Sequence, residues 1–178
     1  MEFLTQLERK VLGWLKGVPH LPVGARKWLG DNIWWIVIIG VVLSGIAALS
    51  LLISLFTLFS TLASPFVVYY ASSAFVTWTI VKTVVSLVFV GLSVALLALA
   101  ITPLKAKQKK GWVLLFITWL LGALSVVVTA ILTLSVLNFI TSVIFGALWV
   151  AVGGYLLFEM HGQFAHVERS KGVKAEKK

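Results

Sequence analysis

Lys82 is the residue of this sequence that most calls for a chemical explanation. It is the only charged residue between Asp31 and Lys105, in the middle of an apolar stretch. An ionisable group inside a membrane-spanning helix is costly and usually functional, for example in binding a solute or a lipid headgroup. Counted along a helix from Pro103, however, Lys82 lies about 31 Å away, close to the thickness of the hydrocarbon layer. We therefore expect its amine to reach the interface, with a binding role as the alternative.

The other basic residues lie outside the apolar runs. The polar island Leu104–Lys110 holds four lysines in seven residues, and further basic residues occur near both termini. Because they flank apolar segments, anionic lipid headgroups are better partners for them than nucleic acid, despite a net charge of +9. The candidate lipid contacts besides Lys82 are Arg9, Lys10, Lys16, Lys105, Lys107, Lys109 and Lys110.

The candidates for metal or catalytic chemistry are weak. Glu159, His161 and His166 follow one another closely, but the two histidines are five residues apart, which does not place both on one helical face. We expect a solvated helix end there instead. The chain has no cysteine, and it shows no phosphate-binding glycine loop, serine triad or carboxylate pair. The sequence thus predicts no enzyme activity, no metal and no cofactor.

The composition indicates how such residues would be positioned. Of 178 residues, 60% are hydrophobic and only 12% charged, which is far from the composition of soluble domains. Long apolar runs predict an all-α integral membrane protein whose four transmembrane helices form two hairpins within residues 32–160. The predicted spans are about 33–62, 76–102, 112–134 and 139–158, with Pro103 ending the second and a turn near Ser135–Asn138 before the fourth.

The segment before the first span, residues 1–31, predicts cytoplasmic, interfacial structure. Residues 1–16 have apolar residues at helical spacing opposite a basic face, the pattern of an amphipathic helix. This helix lies either in the headgroup layer or against the protein's own surface. A short second helix, Val23–Gly30, should follow, with Asp31 or Asn32 capping the first span. Residues 161–178 form a basic cytoplasmic tail.

Charge distribution predicts the orientation. Lysine and arginine flank the first span, the second-to-third connection and the last span, while the two opposite loops carry none. By the positive-inside rule both termini and the lysine island face the cytoplasm, in a plasma membrane that we take to be the bacterial inner membrane.

Small residues at four-residue spacing indicate helix-packing faces. The first span offers Gly40, Ser44 and Ala48, and the fourth offers Ala147 and Ala151, near Gly153 and Gly154. Two uses remain open for these faces: contact within the monomer, or a seam between copies or with another membrane protein.

The overall layout resembles the small, uncharacterised four-span membrane proteins of bacteria. The resemblance rests on the segment Ala25–Leu29 leading into the pair Trp34–Trp35, and on four spans around a lysine loop. It implies location and topology, and it transfers no functional residue. The favoured function is a non-enzymatic accessory, scaffold or assembly subunit. The alternatives are a small oligomeric transporter or pore with Lys82 near its outer mouth, and a lipid-binding or membrane-shaping protein.

Overall fold

The structure is a computed structural model that describes residues 6–7, 10–11, 13, 17–64, 73–133 and 136–164. All regular secondary structure in these ranges is helical. The main helices are α1 (Val23–Leu62), α2 (Ser73–Lys105), α3 (Lys109–Ile131) and α4 (Val136–Glu159). One more helical turn covers 161–164. All four long helices have the length and apolarity needed to cross a membrane, which confirms the all-α prediction and its four candidate spans.

Helix α1 runs without interruption through the predicted break at Asp31, so the prediction of a separate helix Val23–Gly30, followed by a first span capped by Asp31 or Asn32, was wrong. The Asn32 side chain donates a hydrogen bond to the Trp28 carbonyl one turn earlier, 2.9 Å away, which is compatible with an uninterrupted helix. Asp31 is engaged in a tertiary ion pair instead of a cap. A polar side chain can cap a helix only at the end of that helix, and Asp31 and Asn32 lie in the interior of α1.

Pro103 does not end α2, which continues to Lys105. Proline lacks an N–H group, so within a helix it removes the bond to the carbonyl four residues earlier. Here that loss falls in the last turn, where it costs α2 only the bond to Leu99. Helix α4 begins at Val136, three residues before the predicted start of the fourth span.

The four helices form an antiparallel series in which each packs on its neighbour in sequence. Gly40 of α1 faces Leu97 of α2, and the Trp78 indole of α2 donates to the Leu132 carbonyl after α3, 3.0 Å away. Helices α1 and α4, at the two ends of the series, make no extended contact with each other. The bundle is therefore open on one side.

Tight packing is concentrated at the charged end of the bundle, where α1 and α3 begin and α2 and α4 end. The buried cluster there is Leu29, Ile33, Val37, Ala100, Leu104, Trp112, Leu115, Phe116, Leu157, Phe158, Met160 and Phe164. Of the apolar residues described elsewhere, only Val76 and Ala130 are buried. Because Phe164 is 1% exposed and packs in this cluster, the tail predicted to begin at residue 161 begins no earlier than residue 165.

The two hairpins differ in length. At 1.5 Å per residue, α1 and α2 are about 60 and 50 Å long, and α3 and α4 about 35 Å. The Trp78 hydrogen bond places the end of α3 beside α2 more than one turn from where α2 begins. The α1–α2 hairpin therefore projects past the α3–α4 hairpin at the charge-free end, where Phe56, Phe59 and Phe75 are exposed.

The predicted amphipathic N-terminal helix lies largely outside the described residues. Of its apolar face, Leu7 and Val11 are described, and both pack against the buried cluster at the charged end. Lys10 is exposed. The contacts of Leu7 and Val11 favour the alternative in which this segment lies against the protein's own surface.

Candidate functional site

Two tryptophans determine how α3 and α4 pack. The indole nitrogens of Trp112 and Trp119 donate to the main-chain carbonyls of Leu157 and Val150, at 3.0 and 2.8 Å. Both donors and both acceptors are seven residues apart, as expected for antiparallel helices that repeat their contact every two turns. Gly154 makes this possible, because a Cβ atom there would lie 2.8 Å from Cζ2 of Trp119.

The same repeat reaches Val126, seven residues beyond Trp119, but the side chain there is smaller. It packs on Gly146, where an added Cβ would lie 2.3 Å from Cγ1 of Val126. Around this contact the two helices line an open apolar cavity of about 350 Å³, formed by Ala123, Val126, Val127, Ala130, Ile131, Phe139, Val143, Ala147 and Val150. Packing between α3 and α4 therefore weakens toward the charge-free end.

The open side of the bundle forms a larger cleft of about 420 Å³ that all four helices line. We call this the α1–α4 cleft. Small residues form much of its wall: Gly40 and Ser44 of α1, Gly122 of α3 and Gly153 of α4. Trp149, 78% exposed, also borders it.

The α1–α4 cleft has few polar groups that are free to bind a ligand. The hydroxyl groups of Ser93 and Thr118 donate to carbonyls of their own helices, Phe89 and Leu114, at 2.8 and 2.9 Å. The Trp119 indole is also engaged, with Val150. With these donors already used, the cleft is suited to apolar side chains or hydrocarbon.

Glu159 lies at the charged end of α4, and its side chain is only 5% exposed. Its carboxylate lies 2.6 Å from Nδ1 of His20, accepts a hydrogen bond from the Leu21 N–H at 3.1 Å, and lies 3.5 Å from Nε of Arg26. The Tyr155 hydroxyl also donates to the Pro19 carbonyl. We call Glu159 and its three partners the Glu159 clasp, because it joins the end of α4 to the start of α1.

This arrangement compensates an unfavourable charge. A carboxylate at a helix C-terminus meets the negative end of the helix dipole, whereas the N-terminus of α1 attracts it. Helix α1 has no acidic residue in its first turn and no side-chain cap, so Glu159 places a negative charge beside the start of α1 from another helix, bonded to the Leu21 N–H just before it. The expectation of a solvated helix end does not hold for Glu159.

The lysine island is a turn whose side chains diverge. Lys107 pairs with Asp31 of α1, and the Lys105 ammonium lies 5.2 Å from the ring centre of Trp34. Lys110 is exposed on the opposite side, where it lines a pocket between α2 and α3. Lys109 is half-buried at the start of α3. Of the other predicted lipid contacts, Arg9 and Lys16 lie outside the described residues.

Lys82 lies far from this end of the bundle. At 1.5 Å per residue it is about 35 Å along α2 from Lys105, and it is half-buried without an ion pair among the described residues. Trp78, one turn away, bonds the end of α3. Lys82 therefore lies near the level at which the α3–α4 hairpin ends, and its interfacial depth stays a prediction.

The predicted packing residues divide between two surfaces. Gly40 and Ser44 line the α1–α4 cleft, and Ala48, half-buried, follows one turn later on α1. Ala147 borders the smaller apolar cavity, and Ala151 is exposed outside both cavities. Gly146, which the sequence reasoning missed, makes a closer contact than either alanine.

The described residues contain no group of three potential metal ligands. The His161 ring packs edge-on against Trp112 with ring centres 4.7 Å apart, Glu159 belongs to the clasp, and His166 lies outside the described residues. Comparison with known proteins gives no match to a family model, to a curated protein or to a solved structure.

Proposed function

We propose that this protein is a non-enzymatic multispan membrane protein that acts as an accessory, scaffold or assembly subunit by helix–helix association. The observation that carries the proposal is the α1–α4 cleft. In a closed four-helix bundle the first and last helices pack on each other, but here they leave a gap with small residues on its walls. Small residues let a neighbouring helix approach closely in lipid.

The proposed occupant of the cleft is a transmembrane helix, supplied by a second copy or by another membrane protein. Apolar side chains of that helix would fill the space beside Gly40 and Ser44, where the lining offers few free polar groups. The same lack of free polar groups is less compatible with a pore or transporter, which needs polar groups along an aqueous path.

The proposed location is the bacterial inner membrane, with both termini and the lysine turn in the cytoplasm. Supporting this orientation, Arg26, Lys27, Lys105 and Lys110 all lie at the same end of the bundle. In the described residues the opposite end carries no charged group beyond Lys82.

The test is the mass of the intact assembly after gentle extraction, with a variant that fills the cleft. Ser44→Leu places a large side chain in the cleft, whereas Ser54→Leu makes the same change at an exposed position of α1 outside it. We expect an assembly heavier than the monomer for the wild type and for Ser54→Leu, and loss of the added mass for Ser44→Leu.

Two results would count against this function. One is a wild-type protein that is monomeric in native-like lipid and carries no other protein. The other is an equal loss of assembly in both leucine variants, which would indicate general damage to α1 instead of a specific seam.

A further inference from the structure

A second pocket lies at the charged end, on the outer side of the α2–α3 turn and away from the α1–α4 cleft. Its volume is about 330 Å³. The lining residues are Leu99, Thr102, Pro103, Ala106, Gln108, Lys110 and Leu114. We call it the turn pocket.

The turn pocket has a polar head and an apolar wall. Lys110, Gln108 and Thr102 supply an ammonium, an amide and a hydroxyl group, while Leu99 and Leu114 supply hydrocarbon. Among the described residues, neither Thr102 nor Lys110 has a polar partner for its side chain. These groups are therefore available to a ligand.

Pro103 adds an acceptor to the same place. Because proline has no N–H group, the Leu99 carbonyl lacks the donor that it would have in a regular helix. A ligand that carries a hydroxyl group can supply that donor.

The lysines of the island differ in the groups that they contact, and this difference narrows the class of ligand that the turn pocket can bind. Lys107 is paired with Asp31, and Lys105 lies over Trp34, so both are directed toward α1. Lys110 alone of the island's lysines lines the turn pocket. No acidic side chain lines it, so the pocket carries an uncompensated positive charge beside hydrocarbon.

We propose that the turn pocket is a specific binding site for an anionic phospholipid of the membrane leaflet at the charged end. The phosphodiester lies at Lys110, a headgroup hydroxyl lies near Thr102 and the Leu99 carbonyl, and one acyl chain follows Leu99 and Leu114. The site goes beyond the proposed association and shares with it only the membrane location.

The experiment uses delipidated full-length protein in detergent, titrated separately with phosphatidylglycerol and phosphatidylcholine. Bound lipids are counted by native mass spectrometry. One lysine near a membrane surface contributes about 1 kcal/mol, so Lys110→Gln should weaken phosphatidylglycerol binding about fivefold. It should leave phosphatidylcholine binding unchanged.

Two further variants distinguish lipid binding in the turn pocket from diffuse electrostatic attraction of the lipid to the protein surface. Lys27→Gln removes the same charge from an exposed residue of α1 at the charged end, outside the turn pocket, and should leave phosphatidylglycerol binding unchanged. Ala106→Leu keeps every charge but occupies the pocket from an exposed position, so it should weaken phosphatidylglycerol binding.

Equal binding of the two lipids by the wild type would overturn the proposal. So would equal effects of Lys110→Gln and Lys27→Gln, or unchanged binding by Ala106→Leu with native circular dichroism. Failure of association leaves this result intact, because the assembly is tested through Ser44 and the lipid site through Lys110.

Discussion

Lys107 and Asp31, 76 residues apart in sequence, form an ion pair in which the ammonium group donates to the carboxylate. Lys107 is also the only described non-glycine residue with a positive φ, at 51°. It occupies the left-handed position after α2, where the Gln108 N–H bonds the Pro103 carbonyl and the Lys107 N–H bonds that of Leu104. This is the Schellman arrangement, in which glycine is the usual residue. The ion pair with Asp31 thus stabilises a residue with a side chain at a position that favours glycine.

The first prediction distinguishes the effect of the Lys107 backbone conformation on stability from the effect of its charge. Lys107→Ala loses the ion pair and keeps the strained conformation, whereas Lys107→Gly loses the pair and relieves the strain. The left-handed conformation costs a residue with a Cβ atom about 1–2 kcal/mol. The glycine variant should therefore be more stable than the alanine variant by about 1 kcal/mol, measured by thermal unfolding in detergent. An alanine variant at least as stable as the glycine variant would contradict the turn geometry.

The second prediction concerns the close contact of Trp119 with Gly154. Gly154→Ala forces a methyl group against the six-membered part of the indole, so it should destabilise the protein by about 1–3 kcal/mol. Trp119→Phe removes that part of the ring and the hydrogen bond to Val150. In the Trp119→Phe background the cost of Gly154→Ala should fall by more than half. A double-mutant cycle of unfolding free energies measures this coupling, and additive effects would refute it.

The third prediction concerns Gly146, which packs on Val126. Gly146→Ala should destabilise the protein by about 1–3 kcal/mol, and Val126→Ala in the same chain should recover part of that loss. Gly45 is the matched control, since a Cβ atom there meets nothing within 4 Å. Gly45→Ala should be neutral or stabilising by up to about 1 kcal/mol, because alanine favours the helix. Equal effects of the two substitutions on the melting temperature would be inconsistent with the described packing.

The fourth prediction concerns the Glu159 clasp. Glu159→Ala leaves His20, the Leu21 N–H and Arg26 without their shared acceptor, a loss of about 1–3 kcal/mol for a buried hydrogen-bonded group. We expect faster hydrogen exchange at residues 19–26, measured by mass spectrometry, with the α2–α3 turn unchanged. Lys107→Ala is the control and should show the reverse pattern. Unchanged exchange at residues 19–26 would mean that the clasp does not hold this segment.

Sequence reasoning identified the spans because their signal is local. A run of about 20 apolar residues specifies a candidate membrane helix whatever its neighbours are, and all four runs became helices. The hydrogen bond from Trp78 to Leu132 was not foreseeable, because it depends on which helix lies beside α2.

The boundaries were less predictable because they depend on tertiary contacts. Asp31 has the side chain of a capping residue, yet Lys107 is its partner. Phe164 lies in a polar tail by sequence, yet the aromatic cluster at the charged end buries it. Nothing near either residue in the sequence indicates these partners.

The α1–α4 cleft was predictable only in part. Spacing identified Gly40 and Ser44 as small residues on one face of α1, and both line the cleft. That α1 and α4 remain apart follows from how all four helices pack, which no single segment encodes. One signal was available but unused: Trp112 and Trp119 are seven residues apart and face the glycine-containing end of α4.

The unequal lengths of the two hairpins have a consequence for where the protein resides. Helices of about 35 Å fit a bilayer core of about 30 Å with modest tilt, whereas the apolar parts of α1 and α2, each about 45 Å long, leave apolar surface beyond it. Mismatch costs a fraction of a kcal/mol per ångström. In a membrane with lateral differences in thickness, this protein should concentrate in the thicker regions, and vesicles of graded acyl-chain length would reveal that sorting.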